Sequence, residues 1–332
     1  MKVAFFDTHP FEKEAFDSEN ADGKHEIHYF EPRLTKETAT LAKGFSCVCA
    51  FANDRLDKTT LTLLKEGGTH FIALRSAGFN HMDLKAASSL GIRAARVPEY
   101  SPYAIAEHVV AMIQTLNRKT HKAYNRVREG NFSLNGLVGF DLHGKTVGII
   151  GTGRIGKVLA KIMLGFGCKV LLYDIKRDEH FARELHCHYA GFEDILRQSD
   201  IISLHVPLTS ETKHFIDEKA FSQMKRGVMM INTGRGALVD TKALINSLKT
   251  GHVGHAGLDV YEEEAGVFFE DLSGKILNDD ILARLLTFPN VLVTSHQGFL
   301  THEALSNIAS TTLKNISEFE KNLPLSNEVK VG

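Results

Sequence analysis

Short apolar runs alternate with segments of helical periodicity along nearly the whole sequence. Five such runs come before residue 98, and they read KVAFFD, HEIHYF, SCVCAF, HFIAL and IRAARV. Six more lie between residues 146 and 295, and they read TVGII, KVLLYD, IISLHV, GVMMIN, HAGLDV and NVLVTS. Strands that alternate with helices form parallel sheets with right-handed crossovers. Because the runs fall into two sets, the sequence predicts an α/β protein with two doubly wound parallel-sheet domains.

The predicted domain boundary lies where the first set of runs ends. Ser101 can cap a helix and Pro102 suits its first position. The helix that follows carries a long apolar stripe, formed by Ala106, Val109, Val110, Ile113 and Leu116. The C-terminal tail is amphipathic and comes too late to extend the second sheet. We therefore predict one domain from residues 1–100 plus 299–332, flavodoxin-like in type, and a second domain from residues 101–298.

Composition narrows the class of protein. The chain has 332 residues, of which 43% are hydrophobic and 24% charged, which is typical of a soluble globular protein. Its net charge of −1 provides no field that would attract nucleic acid or an anionic membrane. The first residues read as a strand without a signal peptide before it, and the cysteines sit in or beside apolar segments. We expect a cytoplasmic protein with no nucleic-acid and no membrane partner.

The cysteines and histidines do not predict a metal site. Cys47 and Cys49 form a C-x-C pair, but no second pair completes a set of four ligands. Buried strand thiols explain these two residues better. His186, Cys187 and His188 are neighbours, and neighbours on a strand point to opposite faces. We predict no bound metal.

A glycine turn provides the strongest local signal. Gly151, Gly153 and Gly156 follow the run TVGII and open a helix whose apolar residues share one face. The first glycine permits the tight turn, and the second lets a pyrophosphate approach the backbone. The third lets the helix pack on the strand, and the helix N-terminus favours the anion. The pattern predicts a Rossmann domain that binds a dinucleotide.

An acidic residue at the end of the next run bears on the choice of dinucleotide. Asp174 follows Gly156 by 18 residues, close to the spacing expected for an acid that binds the adenosine ribose. A carboxylate there repels a 2′-phosphate, so NAD is favoured over NADP. Lys176 and Arg177 lie nearby and leave NADP open.

Other polar residues follow the remaining runs of the second set. In open α/β sheets, ligands bind outside the carboxyl ends of the strands. Val206 and Pro207 follow IISLH and suit the flat face of an adenine. Arg235 lies between two glycines after GVMMIN, three glutamates at 262–264 follow HAGLDV, and His296 follows NVLVTS. An arginine, an acid and a histidine are therefore expected at one edge of the sheet, beside the dinucleotide.

This set of residues suits hydride transfer to a 2-keto acid. Arg235 can bind a carboxylate through two parallel hydrogen bonds, and His296 can give a proton to the carbonyl oxygen near neutral pH. A carboxylate beside the histidine would orient it and favour its charged form. Spacing does not decide which glutamate does so. In an extended segment, Glu262 and Glu264 would share one side and Glu263 would face the other.

The whole sequence resembles the D-2-hydroxyacid dehydrogenase family, and within it the fermentative lactate branch. The resemblance is carried by LRSAGFNHMDL, VPEYSPYAIAEH, GKTVGIIGTGRIG, SLHVPLT, MINTGRGALVD, LDVYEEE, FFEDLSG and SHQGFLTHEAL. The last two stretches are the most specific to the lactate branch. Related branches usually carry a Pro-His pair where this chain has Ser295 and His296. The family often has Ala or Ser at Gly234, which is a small departure in the arginine turn.

The resemblance implies roles for individual residues. Arg235 would bind the substrate carboxylate, His296 would be the acid/base, and Glu264 would pair with His296. Further substrate contacts are implied for Ala77, Gly78, Tyr100 and Phe299, with Phe51 as an additional candidate. Cofactor contacts are implied for Gly151, Gly153, Arg154, Ile155, Gly156, Asp174, Val206, Pro207, Thr233, Gly234 and Asp259.

The resemblance also implies an activity. The expected reaction is reversible reduction of pyruvate to D-lactate by NADH, with the proton from His296. Dehydrogenases of bulkier D-2-hydroxy acids, such as phenyllactate or hydroxyisocaproate, are an alternative, and an NAD-sensing binding protein is a more distant one. A homodimer or homotetramer is also implied, with the long helix after Ser101 at the interface, and the apolar stripe of this helix fits such a position.

Overall fold

The computed structural model describes residues 1–331 and divides the chain into two compact units. Unit 1 consists of Met1–Ser101 together with the segment that begins at Leu300. Unit 2 is Pro102–Phe299. Within the described residues each unit has its own parallel β-sheet, so the predicted α/β class with two parallel-sheet domains is confirmed.

The sheet of unit 1 is formed by the five apolar runs of the first set. Its strands are β1 (Lys2–Phe5), β2 (Glu26–Tyr29), β3 (Cys47–Ala50), β4 (Phe71–Leu74) and β5 (Arg93–Ala95). They pair in parallel in the order β2-β1-β3-β4-β5. The helices between them are α1 (Pro10–Glu19), α2 (Lys58–Glu66) and α3 (Leu84–Ser89). β3 and β4 are buried on both faces, which is why they read as continuous apolar runs.

Unit 2 begins with the helix predicted after Ser101. Its helices are α4 (Pro102–Arg118), α5 (Thr120–Arg128), α6 (Arg154–Gly165), α7 (Glu179–Glu184), α8 (Phe192–Gln198), α9 (Glu218–Gln223), α10 (Thr241–Lys249) and α11 (Asp280–Leu286). The strands are β6 (Thr146–Ile150), β7 (Lys169–Tyr173), β8 (His188–Tyr189), β9 (Ile201–Leu204), β10 (Val228–Asn232), β11 (Val253–Leu258) and β12 (Val291–Val293).

The strand order of unit 2 positions its ligand site. The strands pair in parallel in the order β12-β11-β10-β9-β6-β7-β8. Since the chain runs outward from β6 to β8 and then returns to β9, the order reverses between β6 and β9, where open α/β sheets bind their ligands. β8 did not correspond to a predicted run, because a two-residue edge strand carries almost no periodic signal.

The apolar stripe of α4 lies inside unit 2. Ala106, Val109, Ile113 and Leu116 are buried among residues of this unit, and α4 contacts α6 and β11. The core of the unit therefore explains the stripe without a second subunit. The homo-oligomer stays a prediction, and the apolar stripe of α4 no longer supports it.

The C-terminal segment completes unit 1. Helix α12 (His302–Glu320) begins at Thr301, whose hydroxyl accepts a hydrogen bond from the Ala304 N–H at 3.2 Å. It contacts α1 and β4, and the ring of Phe319 stacks on Phe71 with centroids 4.5 Å apart. Among the helices of residues 1–331, none is both long and apolar enough to cross a lipid bilayer.

Candidate active site

The glycine turn follows β6 and opens α6. A side chain at Gly151, whose φ is 100°, would lie 2.6 Å from the carbonyl of His205, and one at Gly156 would lie 2.0 Å from the Gly151 oxygen. Packing within the chain therefore requires both of these glycines. Gly153 differs, because a Cβ there would meet no atom within 4 Å and its φ is −66°. The backbone at Gly153 is open to a ligand, as the pyrophosphate of a dinucleotide would need.

Asp174 is anchored to this turn. Its Oδ2 accepts hydrogen bonds from the Thr152 N–H at 2.6 Å and the Thr152 hydroxyl at 3.1 Å. Its Oδ1 accepts from the Lys176 N–H at 2.9 Å. A carboxylate has about four acceptor sites, so the group can also accept from a ribose hydroxyl. The side chain is only partly buried and therefore accessible to one.

The strand ends beside the turn supply apolar and polar surface. Val206 is half-buried and Pro207 exposed at the end of β9. Thr233 follows β10, and its Oγ1 is buried with no hydrogen-bond partner among the described residues. A buried hydroxyl without a partner is costly, so this atom suits a polar group of a bound cofactor. Together with Gly153 and Asp174, these residues fit NAD.

Arg235 lies in a short turn that Asn232 holds from both sides. The buried Asn232 side chain accepts from the Gly234 N–H at 3.1 Å and donates to the Arg235 carbonyl at 2.9 Å. The guanidinium donates to the Gly234 carbonyl at 2.8 Å, and no carboxylate of residues 1–331 pairs with it. A half-buried guanidinium with donors to spare can bind an anionic ligand.

Glu264 and His296 are in direct contact. The Nδ1 atom of His296 lies 2.8 Å from Oε2 of Glu264, and Oε1 of Glu264 accepts from the Tyr261 N–H at 2.9 Å. The segment is not extended, because Glu262 and Glu263 form a turn. Glu262 points toward other loops and Glu263 is exposed. Of the three glutamates, only Glu264 is therefore placed to orient the imidazole.

The turn that carries His296 has an unusual backbone. Ser295 and His296 have φ values of 53° and 58°, in the left-handed region that non-glycine residues rarely adopt. The His296 N–H donates to the carbonyl of Asp259 at 2.6 Å. The ring of Phe269, itself at φ 66°, lies with its centroid 6.0 Å from that of His296. Such strain persists only where surrounding contacts fix it.

The side chain of Asp259 supplies those contacts. The residue is 1% exposed, and its carboxylate accepts from the N–H groups of Gln297 at 2.8 Å and Gly298 at 2.9 Å and from the Thr294 hydroxyl at 2.6 Å. Nε2 of His108 lies 3.3 Å away. Burial acts to raise the pKa of Asp259, but the hydrogen bonds from His108 and Thr294 outweigh it and hold the pKa below its usual range. Asp259 thus organises the turn that presents His296.

Arg154 and Ile155 are the first two residues of α6, where Arg154 is exposed and Ile155 is partly buried. The predicted substrate contacts other than Arg235 lie in unit 1, with the exception of Phe299, which is 9% exposed in unit 2. The carbonyl of Ala77 accepts from Arg96 and that of Gly78 from Ser76, both at 2.7 Å. The N–H groups of Ala77 and Gly78 have no acceptor among residues 1–331, so they are available to an anion. Tyr100 is half-buried and Phe51 is buried.

Several organising residues were missed by the sequence reasoning, namely Asn232, His108, Thr294 and Phe269. Asn232 is a buried amide that directly ends an apolar strand, and this position was a usable signal. His108 and Thr294 act through contacts between α4 and the end of β12, which no local pattern predicts.

Comparisons with known proteins agree with this geometry. Residues 110–298 match the family described as D-isomer specific 2-hydroxyacid dehydrogenase, NAD binding domain. The chain is 52% identical to 2-hydroxyacid dehydrogenase homolog 1 of Schizosaccharomyces pombe, over 96% of each chain. It is 46% identical to the D-lactate dehydrogenase of Escherichia coli, over 99% of this chain and 100% of that one. A solved structure of the pyruvate reductase of Chlamydomonas reinhardtii is 42% identical, covers 98% of each chain and superposes with a TM-score of 0.94.

Proposed function

The chain belongs to the D-isomer specific 2-hydroxyacid dehydrogenases, and from this premise we propose that it reduces pyruvate to D-lactate with NADH. The contact between His296 and Glu264, at the ends of two neighbouring strands, carries the proposal. Arg235 follows the next strand of the same sheet, and the glycine turn lies two strands further on. These positions supply an acid, its orienting carboxylate, an anion-binding group and a dinucleotide turn.

Each residue has a defined part in the proposed reaction. When bound, NADH supplies the hydride that reduces the carbonyl carbon. Arg235 binds the substrate carboxylate and polarises the carbonyl, and His296 donates its Nε2 proton to the carbonyl oxygen as this oxygen gains charge. Glu264 holds the Nδ1 side of the ring and stabilises the imidazolium before the proton leaves. In the reverse direction the neutral His296 takes the proton back.

Unit 1 is the proposed substrate-binding unit, and unit 2 the proposed NAD-binding unit. The N–H groups of Ala77 and Gly78 support a contact with the substrate carboxylate, because residues 1–331 provide no acceptor for them. Tyr100 and Phe299 remain proposed contacts of the substrate side chain, with Phe51 as a further candidate.

The names of the relatives favour pyruvate as the keto acid. One is named for D-lactate and another for pyruvate reduction, whereas the relative at 52% identity is named only for 2-hydroxy acids. Initial rates of NADH oxidation with pyruvate and with phenylpyruvate separate the two substrate classes. A higher kcat/KM for phenylpyruvate would replace pyruvate with a bulkier substrate, and NADH binding without turnover of either would indicate a sensor.

An arginine substitution tests the proposed chemistry directly. We expect Arg235→Lys to lower kcat/KM for pyruvate by at least about 100-fold, because a lysine cannot form two parallel hydrogen bonds to a carboxylate. Arg284→Lys, at an exposed arginine of α11, is the matched control and should leave the kinetics unchanged. Near-normal kcat and KM in Arg235→Lys would overturn the assigned role.

We also propose that the protein is a homodimer or homotetramer. The supporting surface is α5 and the segment after it, where large apolar side chains are exposed: Val127 by 49%, Phe132 by 74%, Leu134 by 78% and Val138 by 83%. Large apolar side chains that are exposed this close together in the chain are typical of an interface. Light scattering at micromolar concentration should give at least twice the chain mass, and Phe132→Ser with Leu134→Ser should lower it. A single monomeric species of the unaltered protein would refute self-association.

A further inference from the structure

Glu262 lies two residues before the glutamate that contacts His296, yet its carboxylate points to two other segments. Its Oε2 accepts from the Thr241 N–H at 3.1 Å and also contacts the Thr241 hydroxyl. Its Oε1 contacts Nε2 of His214. With 22% of the side chain exposed, the carboxylate is largely withdrawn from water.

Helix capping explains only part of this arrangement. Thr241 is the first residue of α10, where a negative charge is stabilised by the helix dipole. Asp240 already accepts from the N–H groups of Lys242 and Ala243, and Glu262 satisfies the N–H that Asp240 does not reach. Helix capping does not require the contact between Glu262 and His214, so it does not explain why the two side chains meet.

His214 joins Glu262 to the loop that carries Arg235. The His214 N–H donates to the Ala237 carbonyl at 2.7 Å, and the Ile216 N–H donates to the Leu238 carbonyl at 3.2 Å. The segment around His214 therefore runs alongside the residues just after Arg235. The side chain of His214 extends from this pairing to the glutamate loop.

The two loops also touch through their backbones. A Cβ at Gly236 would lie 2.0 Å from the carbonyl carbon of Tyr261 and 2.4 Å from the Glu262 nitrogen. Gly236 is the next residue after Arg235, and Tyr261 donates its N–H to Glu264. A short, closely packed path thus runs from Arg235 through this contact to Glu264 and His296.

We propose that Glu262 and His214 are positioning residues that hold the Arg235 loop against the loop of Glu264, and so set the substrate-binding arginine relative to the histidine. The proposal rests on the proposed function of Arg235. Loss of the Glu262 carboxylate would let the arginine loop move, and the first effect would fall on binding of the keto-acid carboxylate. The cofactor turn, on the other side of β9, would be unaffected.

A double-mutant cycle tests this proposal. Glu262→Ala, Arg235→Lys and the double variant are compared for KM and kcat with pyruvate, for NADH affinity by fluorescence, and for melting temperature. Glu262→Ala should raise KM by about tenfold, within the range of coupling inside a hydrogen-bond network, with NADH affinity retained. In the Arg235→Lys background, Glu262→Ala should raise KM by less than about a further twofold, because the guanidinium that Glu262 positions is already absent. Glu263→Ala, one residue along and exposed, should behave as the unaltered protein.

The outcomes separate positioning from simple stabilisation. The proposal would be overturned if Glu262→Ala raised KM equally in the unaltered protein and in Arg235→Lys, or if it changed only NADH affinity. Either result would leave the role of Arg235 intact. An Arg235→Lys variant with normal kinetics would overturn the proposed function and this inference together. If Glu262→Ala does not fold, Glu262→Gln enters the same cycle, because it keeps the side-chain shape while removing the charge. For Glu262→Gln the expected rise in KM is about threefold. No rise in KM, or a rise of the same size in the Arg235→Lys background, would count against positioning.

Discussion

Replacement of Asp259 by asparagine removes the charge that organises the turn of His296. The carboxylate accepts from two backbone N–H groups and one hydroxyl while 1% exposed. An amide has one accepting oxygen, so at least one of these donors faces an NH₂ group and stays unpaired. A hydrogen bond to a charged group contributes about 1.5–3 kcal/mol, and an unsatisfied buried donor costs about 1–3 kcal/mol. We expect Asp259→Asn to lower the free energy of unfolding by about 3 kcal/mol in total.

The assay is thermal denaturation at several pH values. For a unit of roughly 200 residues, about 3 kcal/mol corresponds to a fall in Tm of about 6–12 °C at pH 7. Because the pKa of Asp259 is lowered in the folded protein, its contribution is complete above the unfolded pKa of about 4 and is lost as pH falls through the folded value. The difference in Tm between the two proteins should therefore shrink in acid. Asp271→Asn, at an exposed carboxylate, is the control and should change Tm by less than about 2 °C.

Kinetics complete the experiment on Asp259. At temperatures where the variant is folded, kcat should fall more than KM rises, because the released turn misplaces His296 rather than Arg235. An unchanged Tm at pH 7, or a Tm difference that does not narrow in acid, would refute the reasoning from the buried carboxylate. A destabilised variant with normal kcat would limit Asp259 to a role in folding.

Three further predictions concern Gly153, the pair of Glu264 and His296, and Asp174. Gly153→Ala should fold normally, because a Cβ at this position meets no atom within 4 Å. It should weaken NADH binding at least about tenfold, or about 1.4 kcal/mol, in a fluorescence titration. An unchanged NADH affinity would contradict the idea that a ligand approaches the backbone of Gly153. Glu264→Gln should lower kcat for pyruvate at least about tenfold while NADH affinity is retained, because an amide replaces the carboxylate that lies 2.8 Å from Nδ1 of His296; an unchanged kcat would argue against the pair. Asp174→Asn should raise kcat/KM for NADPH relative to NADH at least about tenfold by removing like-charge repulsion, and a constant ratio would assign the preference to other residues.

The sheet architecture was the most predictable part of this protein. Buried parallel strands read as continuous apolar runs, and eleven runs correspond to eleven strands; β8 was missed because its two residues carry no periodicity. The rule that ligands bind at the carboxyl ends of strands then brought Arg235, the glutamates and His296 to one edge. These steps depend on local patterns and on general topology.

What could not be predicted depends on contacts between distant segments. The choice between Glu262 and Glu264 rests on a turn, and that turn packs on Gly236 of another loop. Asp259 was expected to contact the cofactor, whereas its carboxylate is occupied by the residues around His296; a cofactor role for it stays a prediction. The stripe of α4 was interpreted as an interface, although unit 2 buries it. Periodicity reports that a face is covered without reporting what covers it.

The left-handed backbone at Ser295 has a consequence for how branches of this family can diverge. A proline ring restricts φ to about −65°, so a proline cannot occupy position 295 with the observed φ of 53°. Branches that carry a Pro-His pair here must lead into the histidine along another path. Exchange between serine and proline at position 295 is therefore epistatic. Ser295→Pro becomes tolerable only after the backbone of the surrounding turn has changed. The order in which substitutions can accumulate beside His296 is thus limited by a single backbone dihedral angle.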